Sequence, residues 1–177
     1  MGYYDDIYEY AADNYGLFTT SDANNIGIPI VELAKLSQRG RLNRVGHGVY
    51  RVEHYIPTPL DKYAEAVALV GHGAYIYGES VLAMHGLANV NPLNIYVACT
   101  QNVRKKLPPY IKIKREASNS DMQYEGIATQ HLADAILTCK SSIMTERLED
   151  ATKEALRVGL ISKADAISIA KELNTRT

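Results

Sequence analysis

Within the first fifty-two residues the apolar period of the chain changes at Gly40, and that change limits what the N-terminal part can become. Before it, Tyr4, Ile7, Tyr8, Ala11 and Tyr15 recur at i, i+3, i+4, i+7 and i+11, which is one stripe of a helix. Asp5 and Asp6 suit its positive start and Gly16 its C-terminal cap. Thr19 and Asp22 form a capping-box-like start for a short second helix through Asn25, with Ala23 and Ile26 inward and Gly27 as breaker. Pro29 fits a first helical turn, Leu33 and Leu36 share a face, and Gly40 ends a third helix running from Pro29 to Arg39. Beyond Gly40, Leu42 to Val45 and Val49 to Val52 are strand-like runs flanking Gly46-His47-Gly48, a three-residue hairpin turn. Helix, helix, turn, helix, hairpin is the order of a winged helix-turn-helix.

Ile56-Pro57-Thr58-Pro59 continues neither a helix nor a central strand, so a domain boundary is expected there, between residues 1–56 and 60–177. Leu60 to Val70 has helical spacing, Ser80 to Gly86 reads as a short helix, and Asn94 to Thr100 alternates as a strand. Ile111-Lys112-Ile113-Lys114 alternates more cleanly, apolar inward and cationic outward. A helix near Thr145 to Val158 is capped by Gly159, and Ser162-x-x-Asp165 opens another that runs to about Leu173. The expected class is α+β: a winged helix-turn-helix followed by a mixed α/β domain with a small antiparallel sheet and C-terminal helices. Many of the 13 tyrosines fall on inward positions and read as core.

A net charge of −1 hides an uneven distribution. Lys35, Arg39, Arg41, Arg44 and Arg51 occupy a stretch without an anion, and so do Arg104, Lys105, Lys106, Lys112, Lys114 and Arg115. Two basic islands on an acidic body are the local field an anionic polymer needs. In a helix-turn-helix the second helix enters the major groove and flanking cations hold phosphates. The DNA-binding candidates are therefore Lys35, Gln38, Arg39, Arg41, Arg44, His47 and Arg51. The reading edge, Ile30-Val31-Glu32, is apolar and poor in base-edge hydrogen-bonding groups, so phosphates are expected to supply most of the affinity. The second island reads either as a further nucleic-acid surface or as lysines that protect a sheet edge from aggregation.

Catalysis finds little support. His47, His54, His72, His85 and His131 form no short ligand spacing, Ser80 lacks a nucleophile elbow, and Gly71-His72-Gly73 is too small for a phosphate loop. Cys99 and Cys139 make neither a zinc knuckle nor a disulfide framework. No metal or cofactor is expected. No apolar run reaches transmembrane length and the acidic start lacks the features of a signal peptide, so a cytoplasmic protein is expected.

Gly16-Leu17-Phe18-Thr19-Thr20, the Ala23 and Gly27 positions, and Leu36 to Val52 ending in Arg44-Val45-Gly46-His47-Gly48-Val49-Tyr50-Arg51 resemble the N-terminal domain of AbiEi-family antitoxins. Tyr77 to Leu87, Pro92 to Ala98 and Tyr124 to Thr129 leading into Leu132 to Ala135 resemble later segments of the same family. The resemblance implies an antitoxin of an abortive-infection type IV toxin-antitoxin pair. Such a protein represses its own operon through double-stranded operator DNA and counters a nucleotidyltransferase-like toxin without a tight complex. A homodimer on inverted repeats is compatible with that reading. The chain departs from the family pattern at the start of its recognition helix, where Pro29-Ile30-Val31 replaces the usual Ser, Thr or Arg. The alternative is a winged-helix repressor whose C-terminal domain senses a ligand.

Overall fold

The computed structural model describes residues 2–175. Its first three helices are α1 (Tyr3–Ala12), α2 (Thr20–Ile26) and α3 (Ile30–Gln38), and a carboxylate ties the first two together. Asp22 Oδ2 accepts from the Thr19 backbone N–H at 2.8 Å and from its hydroxyl at 2.7 Å, while Thr19 Oγ1 accepts from the Asp22 N–H at 3.1 Å. This is the capping box expected from the sequence. The Tyr10 hydroxyl on α1 donates to the other Asp22 oxygen at 2.6 Å, which joins α1 to the start of α2. Gly27 then takes the left-handed conformation at φ 76°, ends α2 and lets α3 leave in a new direction.

Three short strands complete this unit: β1 (Leu17–Thr19), β2 (Leu42–Gly46) and β3 (Val49–Val52), antiparallel in the order β1-β3-β2. Ile7, Ala11, Phe18, Ala23, Ile28, Leu33, Leu36, Leu42, Tyr50 and Val52 form the core beneath them. Fully buried Phe18 meets the Tyr10 ring edge-on at 5.3 Å. Two local expectations change. α1 ends before Tyr15, which turns the chain at φ 56°, and the hairpin closes on His47-Gly48 because a bulge at Val45 keeps Gly46 paired with Val49.

The compact units divide as Met1–His72 with Val103–Leu107, and Gly73–Asn102 with Pro108–Thr177. The first unit therefore includes α4 (Asp61–Val70), which the sequence reading placed beyond the break at Pro57–Pro59. The causes are local. The hydroxyls of Tyr55 and Thr58 donate to Asp61 at 2.8 and 2.6 Å, which anchors the connector to the start of α4. Burial works against the Asp61 charge, but those hydrogen bonds outweigh it and hold the carboxyl below its usual range. Further along α4, Leu69 fills the space where Gly46 has no Cβ, so the helix lies against the hairpin.

In the second unit, β4 (Tyr75–Ile76), β5 (Ile95–Cys99), β6 (Ile111–Arg115), β7 (Met122–Tyr124) and β8 (Ile127–Thr129) form one sheet in the order β6-β5-β4-β8-β7. The sheet is mixed rather than antiparallel, with β5 parallel to β6 and β4 parallel to β8. Residues 100–110 give the chain enough length to return to the start of β5, as a parallel pair requires. The helices are α5 (Glu79–Met84), α6 (Leu132–Thr138), α7 (Thr145–Arg157) and α8 (Lys163–Asn174), the last opened by the Ser162–Asp165 capping box. No described helix is long and apolar enough to cross a membrane.

Candidate nucleic-acid interface

α3 is held by Leu33 and Leu36, both in the core, and by Ile28 just before it. With those residues inward, Ile30, Val31, Ala34, Lys35 and Gln38 are exposed on the opposite side. Lys35 does not stand alone there: its ammonium lies 2.7 Å from Glu32 one turn back. An exposed pair of this kind contributes only about 0.3–0.5 kcal/mol, so a phosphate can draw Lys35 away at small cost.

The remaining cations of the first island part company. Arg39 is exposed at the end of α3, and Arg41 is exposed with its guanidinium 4.9 Å from the Tyr4 ring centre. Arg44 is exposed on β2, with Nε donating to the Gly46 carbonyl at 3.3 Å, and exposed His47 forms the tip of the wing. Arg51 is different. It is half-buried, with Nη1 2.9 Å from Glu65 on α4 and its guanidinium 5.5 Å from the Tyr55 ring centre. Its Nε and Nη2 are buried without a hydrogen-bond partner. The bond to Glu65 ties Arg51 to α4, so it does not reach outward.

The second island is divided by the fold. Arg104, Lys105 and Lys106 are exposed and belong to the first unit, where Lys105 Nζ lies 3.2 Å from the point a Cβ at Gly71 would occupy, at the end of α4. A cation there also suits the negative end of that helix. Lys112, Lys114 and Arg115 are exposed on β6, an edge strand of the second unit. The expected apolar-in pattern holds for buried Ile111 but not for Ile113, which is 39% exposed. Sequence distance gave no sign that Arg104 to Lys106 and Lys112 to Arg115 would separate.

The second unit has its own concavity, an open cleft of about 430 Å³ with His85, Tyr124, His131 and Asp165 on its walls. His85 and Tyr124 lie with ring centres 4.0 Å apart, and burial lowers the His85 pKa from its usual value. Among the described residues no group of three or more His, Cys, Asp or Glu is placed to hold a metal ion.

Residues 5–52 match the family model described as a transcriptional regulator, AbiEi antitoxin. The segment matched runs from α1 to the end of β3, and it bears out the family resemblance of the N-terminal part. Among solved structures, the crystal structure of the RV2827C protein from Mycobacterium tuberculosis is similar, with a TM-score of 0.41 and 14% identity over 100% of this chain and 84% of that one. Comparison with curated proteins gives no match.

Proposed function

We propose that this protein is a DNA-binding transcriptional autoregulator that occupies the operator of its own operon and serves as the antitoxin of a type IV pair. It counters a nucleotidyltransferase-like toxin without a tight complex and acts in the cytoplasm, where its operator lies. One coincidence supports this above all: an open α3 and exposed Arg39, Arg41, Arg44 and His47 fall on the segment that matches AbiEi regulators. Each cation that meets a phosphate releases counterions, which contributes affinity without sequence preference. Lys35 and Gln38 face the groove on α3, whereas Arg51 is kept for the contact with Glu65. A homodimer would present two copies of α3 to inverted repeats one helical turn apart. Antitoxin activity is assigned to the second unit.

The test is a gel shift of the full-length protein on its own promoter, combined with co-expression of a nucleotidyltransferase-like toxin sought in the reading frame beside its gene. Tight binding with log affinity falling linearly in log salt, and growth rescue, are expected. Binding absent at low salt, or flat as salt rises, removes the regulator; failed rescue removes the antitoxin. A second reading, ligand sensing, draws on the His85 cleft, whose volume suits a small molecule. It requires a metabolite that both raises the melting temperature of the protein and changes operator affinity.

A further inference from the structure

The outward side of α3 is apolar where a reading helix is ordinarily polar. Ile30 is 49% and Val31 58% exposed, and Ala34 is exposed one turn further on. Ile30, Ala34 and Gln38 stand at i, i+4 and i+8, so they form one row, with Val31 beside its start. Glu32 and Lys35, interleaved with that row in the helix, are paired at 2.7 Å. Scattered apolar residues on a surface need no explanation, but these are contiguous and belong to the helix that enters the groove.

Apolar side chains have one partner in the major groove, the 5-methyl group of thymine, and the amide of glutamine has the N6 and N7 edge of adenine. We propose that α3 reads a block of A·T pairs, with Ile30, Val31 and Ala34 against thymine methyl groups and Gln38 on an adenine. The row spans about 12 Å at 1.5 Å per residue, which covers roughly four base pairs at 3.4 Å each. Arg39, Arg41 and Arg44 are exposed just beyond the end of this strip and are available to phosphates beside the block. The inference rests on the DNA-binding reading and names what that reading leaves open, the base pairs preferred.

The experiment uses full-length protein and duplexes it recovers from a random pool, each remade with deoxyuridine for thymine. That change deletes the methyl group and leaves pairing and charge intact. Enrichment of A·T blocks is expected, with affinity falling about four-fold for each methyl group contacted and an unchanged salt slope. Val31→Thr keeps the size of the side chain and replaces a methyl by a hydroxyl, so it should reduce the preference for thymine over uracil without altering the slope. Equal affinity for the two duplexes, with a normal salt slope, overturns the proposal while leaving DNA binding in place. No binding to any duplex at low salt overturns the underlying reading as well. A Val31→Thr protein with changed sedimentation and an unchanged thymine-to-uracil ratio makes the strip a contact between copies, which also overturns it.

Discussion

The two basic stretches look alike in sequence and are used differently by the fold. From Lys35 to Arg51 the cations lie on α3, the turn after it, β2 and β3 of one unit, and all but Arg51 are exposed. From Arg104 to Arg115 they are shared between units, with Arg104, Lys105 and Lys106 in the first and Lys112, Lys114 and Arg115 on an edge strand of the second. A charge run therefore marks a common field only when its residues remain on one body, and even then an ion pair with a neighbouring helix can hold one cation back.

Removing charge from the first stretch should expose the difference most strongly. Arg39→Gln, Arg41→Gln and Arg44→Gln together should flatten the salt slope by about 2.7 and weaken binding by two to three orders of magnitude near 0.1 M salt. Lys112→Gln, Lys114→Gln and Arg115→Gln should leave slope and affinity within experimental error, as lysines that merely guard an edge would. Matched losses in the two triple variants would erase the distinction. Melting curves must accompany the first variant, because Arg41 over Tyr4 adds about 0.5–1 kcal/mol of stability at an exposed site.

Arg51 sharpens the comparison from within the first stretch. Glu65→Ala leaves a half-buried guanidinium without its carboxylate and should cost about 2 kcal/mol in unfolding free energy, less than for a fully buried pair because both side chains retain some contact with water. Arg51→Met should leave the salt slope for DNA unchanged. A slope reduced by about one unit in that variant would instead make Arg51 a phosphate contact.

Arg104, Lys105 and Lys106 lie between those extremes. Lys105 sits at the end of α4, and Leu69 of that helix touches Gly46 in the wing, so these cations share a unit with the exposed arginines. Neutralising all three should cost roughly ten-fold in affinity, the worth of about one phosphate contact. Full-strength binding by the neutralised protein would assign them to the solvated surface with Lys112 and Lys114.

How much of this was legible follows from element length. α2, α3 and the hairpin carried strong signals because Thr19, Asp22, Gly27 and Gly40 mark their ends and Leu33 and Leu36 mark the inward face. β1, β4, β7 and β8 span two or three residues each, too short for alternation to register, and Thr19 served as both strand end and helix cap. α6 is longer, at seven residues, but only its Leu132 to Ala135 motif stands out in the sequence. The placement of Arg51 did have a signal: Val49, Tyr50 and Val52 put apolar residues on both faces of β3, the pattern of a strand covered on both sides. The place of Val103–Leu107 in the first unit had none, since it depends on tertiary packing alone.

The smallest expected effect separates the units by pH. Tyr10 in the first unit is pushed up to about 12 by burial, by its hydrogen bond to Asp22 and by the charge of that carboxylate. A phenol with a raised folded pKa stabilises fully below its unfolded value of 10.0 and loses that contribution as pH rises toward 12. His85 in the second unit is shifted the other way, below 6.5, because burial disfavours the imidazolium. Its folded state prefers the neutral ring, so its contribution is present above pH 6.5 and is lost as pH falls through the lowered folded pKa. Calorimetric melts should thus show the first unit weakening between pH 10 and 12 and the second weakening below pH 6.5. Tyr10→Phe should remove part of the alkaline loss, and His85→Phe, which retains an aromatic ring against Tyr124, should remove part of the acid loss. If each substitution leaves the corresponding limb of the profile unchanged, other groups govern the pH response and the units do not differ in the way these half-buried rings imply.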